Sequence, residues 1–253
     1  MTHMNVLYIG DDKLKSDQFF AGAENIQVFQ RRIKDYEALL EALEHSEGIN
    51  VEHKGGPETI ESFPESTEEL LEYDAIIISD LSRGTLTPHF YPDAVPGPNK
   101  LRIVKEFVES GGGLLYCGGW MTFQGYKGAG NWQGTPVEDV LPVEIQPVFD
   151  DRVERPEGAE TSMLETDHPA LQGFDHETLP PVYGYNRTGP VKDGAKLHAT
   201  VDDDPLISTG EYGEGRTFVY TSDPGVKWGL DHVEWDSYQR FWVDALEWAT
   251  GER

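Results

Sequence analysis

The chain has 253 residues, with 20 Lys and Arg against 46 Asp and Glu, a formal net charge of -26. Binding to phosphate backbones or acidic lipid needs a basic footprint, so this balance excludes nucleic acid and membrane surfaces as partners. Six Trp and several long apolar runs exclude an acidic disordered chain.

The acids are spread along the elements, as at Glu37, Glu41, Glu44 and Glu47, rather than gathered in a tail. Self-repulsion on this scale is best tolerated in concentrated salt, where the Debye length falls to ~3 Å near 1 M. The composition therefore predicts a halophilic, cytoplasmic protein whose secondary structure fades as salt is dialysed away. Circular dichroism that stays unchanged in dilute buffer would contradict this. The single cysteine, Cys117, cannot close an internal disulfide, which fits a reducing compartment. The start of the chain runs straight into Asn5-Val6-Leu7-Tyr8-Ile9-Gly10 without the basic segment and apolar core of a signal peptide.

In chain order, Val6 to Ile9 is a first strand stopped by the polar turn Gly10-Asp11-Asp12. The residues from there to about Gln30 are irregular by pattern. Arg31 to His45 carries Ile33, Tyr36, Leu39, Leu40 and Leu43 at helical spacing. Ile49 to His53 alternates as a second strand. Ser66-Thr67-Glu68-Glu69 opens a capped helix running to Glu72. Ala75 to Ile78 is continuous and β-branched, as buried parallel strands are, and ends at Ser79-Asp80.

The loop from Leu81 to Pro98 is proline-rich and long enough to predict a functional role, with His89 placed to line a pocket and Phe90, Tyr91 and Pro92 beside it. Asn99 to Ser110 is a helix by its spacing of Leu101, Val104, Phe107 and Val108. Gly111-Gly112-Gly113 supply left-handed conformations that end it. Leu114 to Cys117 then reads as a buried strand followed by Gly118-Gly119. The order β-α-β-α-β-α-β is that of a doubly wound α/β domain.

Pro136 begins a short helix, and Val143 to Gly158 is extended and acidic. Leu179 to Asn186, Lys196 to Val201, Leu206 to Gly210 and Arg216 to Ser222 read as strands, the last two a hairpin about Gly213-Glu214-Gly215. A final helix, Asp236 to Thr250, gathers Tyr238, Phe241, Trp242, Ala245, Trp248 and Ala249 on one face. With no repeat or linker, residues 1–253 are expected to form a single domain.

In open α/β sheets ligands sit beyond the carboxyl ends of strands, so the turn after Cys117 is the default site. A nucleophile elbow wants small residues two before and two after the nucleophile. Gly119 meets the second condition and Leu115 fails the first. A strand-end cysteine is also a common small hydrophobe without chemistry. The candidate base and its orienting acid are His232 and Glu234, between the last strand and the last helix. Gly118 and Gly119 are placed to offer backbone N–H groups to an oxyanion. No His-Glu-x-x-His, paired metal-ligand spacing or Gly-x-x-x-x-Gly-Lys loop is present, so no metal or cofactor is expected.

The residues also carry a resemblance. Tyr73 to Asp80, Pro98-Asn99-Lys100-Leu101 and the Gly111 to Gly125 run with its Gly-Gly-aromatic-x-x-Phe are three of its pieces. The others are Thr135 to Val143, Asp150-Asp151-Arg152-Val153-Glu154, Gly184-Tyr185-Asn186, Thr221-Ser222-Asp223, Trp228 and Trp235. The combination resembles the class I glutamine amidotransferase-like superfamily, and within it a family named putative glutamine amidotransferase. It implies a flavodoxin-like three-layer α/β/α sandwich with a mostly parallel sheet and additional strands in the second half. Working class I amidotransferases carry Gly-x-Cys-x-Gly and a late His-x-Glu. This chain departs from them at Leu115, and from its nearer relatives at Lys227, where they tend to have histidine.

The leading expectation is an amidotransferase-like protein without glutaminase activity. It would bind a small polar, ring-bearing or sugar-like molecule at a rim of Asp80, Gly118, Gly119, Trp120, Gln124, Asp223 and Trp228. One alternative is an active enzyme with Cys117 as nucleophile, His232 as base and Glu234 orienting it. The other is an oligomeric interaction protein whose last helix or long loop forms the interface.

Overall fold

The computed structural model describes residues 3–22, 24–87, 96–164, 167–172, 174 and 179–252; His89 and its neighbours in the long loop lie outside them. Five strands form the parallel part of the main sheet: β1 (Met4–Gly10), β4 (Ile49–Lys54), β5 (Ala75–Ser79), β6 (Gly113–Cys117) and β12 (Gly215–Tyr220). They lie in the spatial order β4-β1-β5-β6-β12 and pair in parallel throughout. Counted along the chain this is the order 2-1-3-4-5 of a flavodoxin-like sheet, whose direction of winding reverses between β1 and β5. Three antiparallel strands extend it past β12: β11 (Asp204–Tyr212), β10 (Lys196–Val201) and β8 (Thr161–Met163).

Side-chain alternation along the central strands divides the core in two. Val6, Tyr8, Ala75, Ile77, Leu115 and Cys117 face one layer, against Leu39 and Leu43 of α1 (Glu37–Glu44) and the aromatic face of α8 (Tyr238–Ala249). Leu7, Ile9, Ile76, Ile78, Leu114 and Tyr116 face the other layer. There they meet Phe63, which closes α2 (Gly56–Ser62), Leu70 of α3 (Thr67–Leu70), Leu86 of α4 (Arg83–Leu86), Phe107 of α5 (Lys100–Glu109) and Val140 of α6 (Pro136–Val140). Each such side chain removed from water contributes about 1.5–3 kcal/mol, which is why the central strands are apolar on both faces. Capping is local: Ser66 accepts from the Glu69 amide at 3.1 Å, and Asn99 accepts from the Arg102 amide at 3.2 Å.

Several expectations need correction. Of the three glycines after α5 only Gly111 has a positive φ, +111°. Gly112 and Gly113 are required by close approach, since a Cβ there would stand 2.3 Å from the Phe107 ring and 2.9 Å from the Ala249 backbone. The stretch after Asp11 is not irregular, and Arg31 to Lys34 is not helical. Both belong to an antiparallel arm, β2 (Asp12–Ala21) with β3 (Glu24–Lys34). Beyond its base at Asp12, Lys13 and Ile33, the described side chains of this ribbon are exposed on both faces, so it carries no period-two apolar signal to read. Helix α1 accordingly starts at Glu37 rather than at Arg31. The acidic stretch from Val143 resolves into a single bridge, Val143 to Val191, and β7 (Arg152–Ala159). β7 pairs with β9 (Val182–Asn186) as a separate two-stranded sheet. Among the described residues no helix is long and apolar enough to cross a membrane.

Candidate functional site

The register Gly10↔Ser79, Ser79↔Cys117 and Cys117↔Tyr220 brings four parallel strands to one level at their carboxyl ends. Just past that level the chain places Asp11 after β1, Asp80 after β5, Gly118 after β6 and Asp223 after β12. Asp11 and Asp80 therefore flank the point where the sheet reverses its winding, where ligands of such sheets bind. Both residues hold positive φ, 51° and 43°, a conformation that aspartate tolerates better than most side chains. Carboxylate oxygens of Asp11, Asp80 and Asp223 all lie within 4.8 Å of one another, and all three residues are buried.

One cation enters this cluster from the arm. Lys13 Nζ pairs with Asp80 and, at 2.7 Å, with Asp35 Oδ2. Burial opposes its charge, but Asp80, Asp223 and Asp11 outweigh it and hold the ammonium well above its ordinary pKa. The Lys13 side chain keeps 21% exposure, so the lysine itself reaches solvent while the three carboxylates beneath it are buried. Tyr8 donates its hydroxyl to Asp11 Oδ2. Asp11 Oδ1 and Asp223 Oδ2 are buried with no hydrogen-bond donor among the described residues. Burial raises the Asp11 pKa to about 6, with Lys13 opposing and Asp80 adding to the rise. Burial and then Asp11 push Asp223 up as well.

Around the cluster lies a frame of hydrogen bonds. Asp80 Oδ1 accepts from the Met121 amide at 2.6 Å. The Gly118 amide donates to Tyr220 O and the Gly119 amide to Asn186 Oδ1, both at 2.8 Å. Asn186 Nδ2 in turn donates to Asp151 Oδ1 at 2.9 Å, and Asp151 also accepts from the amides of Gln124 and Gly125. The two glycine amides named as oxyanion donors are thus both engaged within the protein. Trp120 stands at the surface, stacked on Tyr126 with ring centroids 5.5 Å apart. The Arg152 guanidinium lies 4.7 Å and Lys227 Nζ 4.5 Å from its ring centre. Gln124 Nε2 donates to Val148 O at 3.1 Å. Trp228 is buried at 3% exposure, with its Nε1 donating to Glu154 Oε2 at 3.2 Å, so it offers no face to solvent.

The candidate catalytic residues have separate surroundings. Cys117 is fully buried at the end of β6, and burial, then Asp11 and Asp223, push its thiol pKa well above the ordinary value. His232 is buried in α7 (Leu230–Val233), with its Nε2 2.9 Å from Pro180 O and its ring beside Tyr220, Trp235 and Phe241. Burial lowers its pKa to about 4, the Pro180 carbonyl working against the shift. Glu234 is exposed at the end of the same helix. Among the described residues no hydrogen bond joins Cys117 to a histidine.

The structure thus draws Asp80, Gly119 and Asp223 to one rim and leaves Trp120 at its edge. Sequence reading did not place Asp11, Lys13, Asn186 or Asp151 at the site, although Asp151 and Asn186 lie in the family-like motifs. The polar turn Gly10-Asp11-Asp12 directly after the first strand was a usable signal for Asp11. Lys13 had none, because it reaches the rim on an arm whose strands are not legible. Chemically the rim is rich in acceptors. Carboxylates of this kind hold ammonium groups, accept from ligand hydroxyls, or supply hard oxygen ligands to a divalent cation. In this structure the Lys13 ammonium occupies the cationic position.

Sheet order, layering and a carboxyl-end rim define a flavodoxin-like α/β protein. The sequence pattern of the family described as "Putative glutamine amidotransferase" matches residues 5–251, and the chain belongs to that family. Among solved structures it is similar to the cytoplasmic protein STM3548 of Salmonella typhimurium, at 33% identity and a TM-score of 0.88, covering 96% of this chain and 98% of that one. The cytoplasmic protein STM1381 of Salmonella typhimurium LT2 is similar at 30% identity and a TM-score of 0.89, over 97% and 99% of the two chains. A "Putative thua-like protein" from Parabacteroides merdae shares the fold at 14% identity and a TM-score of 0.58, over 100% of this chain and 91% of that one. No curated protein matches the chain.

Proposed function

We propose that this chain is an amidotransferase-like cytoplasmic protein that binds a small polar ligand at the Asp11–Asp80–Asp223 rim and does not hydrolyse glutamine through Cys117. The surroundings of Cys117 carry the reading. A nucleophilic cysteine needs a lowered pKa and a nearby base or cation, whereas this thiol is fully buried and influenced by two carboxylates that raise its pKa. The candidate base, His232, is bonded to a backbone carbonyl, and the Gly118 and Gly119 amides are already satisfied. Buried carboxylate oxygens without donors favour a ligand that brings donors, such as a hydroxyl-rich or amino-bearing ring. The location follows the two Salmonella relatives, both described as cytoplasmic.

Intact-mass spectrometry after exposure to a glutamine-like electrophile, with iodoacetamide in a parallel sample, tests the reading. The folded protein is expected to take up neither reagent, and the denatured chain to take up one iodoacetamide. Labelling of folded Cys117 by the glutamine analogue faster than a free thiol would overturn the proposal in favour of a Cys117, His232 and Glu234 enzyme. Thermal shifts with neutral aldoses and amino sugars test the ligand class. Stabilisation of the wild type that is lost in Asp223→Asn is the expected result, and no shift from any of them would remove that class.

A further inference from the structure

The β2–β3 arm is an anomaly in this molecule. It is a two-stranded ribbon, and such ribbons are at best marginally stable alone in water. Leu14, Phe19, Phe20 and Phe29 on it are each more than half exposed. The register sets Asp17 opposite Phe29 and Phe19 opposite Gln27, so Phe19 and Phe29 are diagonal neighbours on one face. Lys15 and Arg31, opposite each other, lie farther along that same face, with Lys15 3.2 Å from Asp17 Oδ2 and Arg31 exposed beside it. A set of exposed aromatics this dense marks a contact surface rather than scattered surface residues.

Charge identifies what the arm meets. Residues 12–34 hold Lys13, Lys15, Arg31, Arg32 and Lys34 against Asp12, Asp17 and Glu24, in a chain whose total is 20 basic to 46 acidic residues. The arm is therefore basic where the remainder is strongly acidic. The opposite extreme is the α2–α3 face. From residue 55 to residue 74 the sequence has no Lys or Arg, and Glu61, Glu65, Glu68 and Glu72 are exposed there around an exposed Leu71. The two surfaces already meet at the base of the arm, where Arg32 lies 4.0 Å from Glu58 of α2 in the same chain. Two net-basic arms laid against each other gain less than a basic arm on an acidic face, and two bodies of net charge -26 repel wherever the arm is not between them.

We propose that the arm clasps a second copy of this chain, its Phe19–Phe29 face and the Lys15–Arg31 pair lying on the partner's α2–α3 face, in a two-fold exchange in which each copy gives an arm and receives one. Because Lys13 sits at the foot of the same arm, assembly also fixes the ammonium that balances the acidic rim.

Sedimentation equilibrium of the full chain over a concentration series, in dilute buffer and in molar salt, is the test. The wild type is expected to be a dimer. Phe19→Asp with Phe29→Asp is expected to weaken association by roughly thirtyfold or more while circular dichroism and the melting temperature are retained, since both side chains are exposed. Glu65→Lys with Glu68→Lys is expected to weaken it too, and adding Lys15→Glu with Arg31→Glu to restore it. A wild type that stays monomeric at every concentration and salt would overturn the proposal, as would a dimer indifferent to the Phe19 and Phe29 changes. Failure of the charge swap to restore association would overturn the assignment of the receiving face.

Discussion

Lys13→Met is expected to cost about 3 kcal/mol of stability near neutral pH, and the deficit is expected to shrink as the solution is acidified. Methionine keeps the length and apolar stem of lysine and removes only the ammonium. What remains is Asp11, Asp80 and Asp223 buried within 4.8 Å of one another without their counter-charge. Removing one partner from a buried ion pair costs about 3–5 kcal/mol, taken here at its lower end because Lys13 is 21% exposed. The pH dependence follows from proton uptake. Asp11 has its folded pKa raised to about 6, and Asp223 is raised as well, so the folded state binds more protons than the unfolded chain. Their contribution is complete below the unfolded carboxylate pKa of ~3.9 and is lost as pH rises through the folded value. Without Lys13, which lowers both, the folded values move higher and the loss deepens at neutral pH. Urea denaturation of wild type and variant at fixed salt, at neutral pH and near pH 5, measures it. A variant as stable as the wild type at neutral pH, or a deficit that grows on acidification, would mean that Lys13 does not balance the cluster.

Gly118→Ala is expected to cost about 3 kcal/mol or more, lowering the melting temperature by roughly 6–12 °C for a chain of this size. A Cβ at this position would stand 2.0 Å from Thr221 O and 2.8 Å from Asn186 Oδ1. The first neighbour is backbone in the turn after β12, so no side-chain rotation relieves the contact. The Gly118 amide bond to Tyr220 O holds the two strand ends together at the same place. Relief therefore means parting the ends of β6 and β12, which carry Gly119 and Asp223. Calorimetry gives the magnitude, and an alanine variant that melts with the wild type would show that this close approach is not needed.

Of the two glycines after Cys117, the nucleophile-elbow reading valued both for their backbone N–H groups. The structure gives them a different use: Gly118 allows β6 and β12 to approach, and Gly119 passes close beside the Asp80 side chain. Trp228 teaches the same lesson. In the sequence it is one more aromatic near strand ends, and in the fold its indole is covered and bonded to Glu154. Sequence position reports that a residue is near a strand end, but not whether its polar atoms are already satisfied there.

The sequence by itself determined the parallel core. Val6 to Ile9, Ala75 to Ile78 and Leu114 to Cys117 are apolar at every position because strands covered on both faces bury every side chain, and that pattern is local. The same holds for α5 and α8, whose buried stripes repeat within each helix. The tertiary structure alone decided the rest. The arm was invisible because a ribbon exposed on both faces has no apolar alternation. The rim was half visible because Asp11, Asp80 and Asp223 lie far apart in sequence, and only the 2-1-3-4-5 order of the parallel strands brings their carboxylates together. Lys13 joins them through the arm, so the charge balance of the rim depends on a contact that no local pattern encodes.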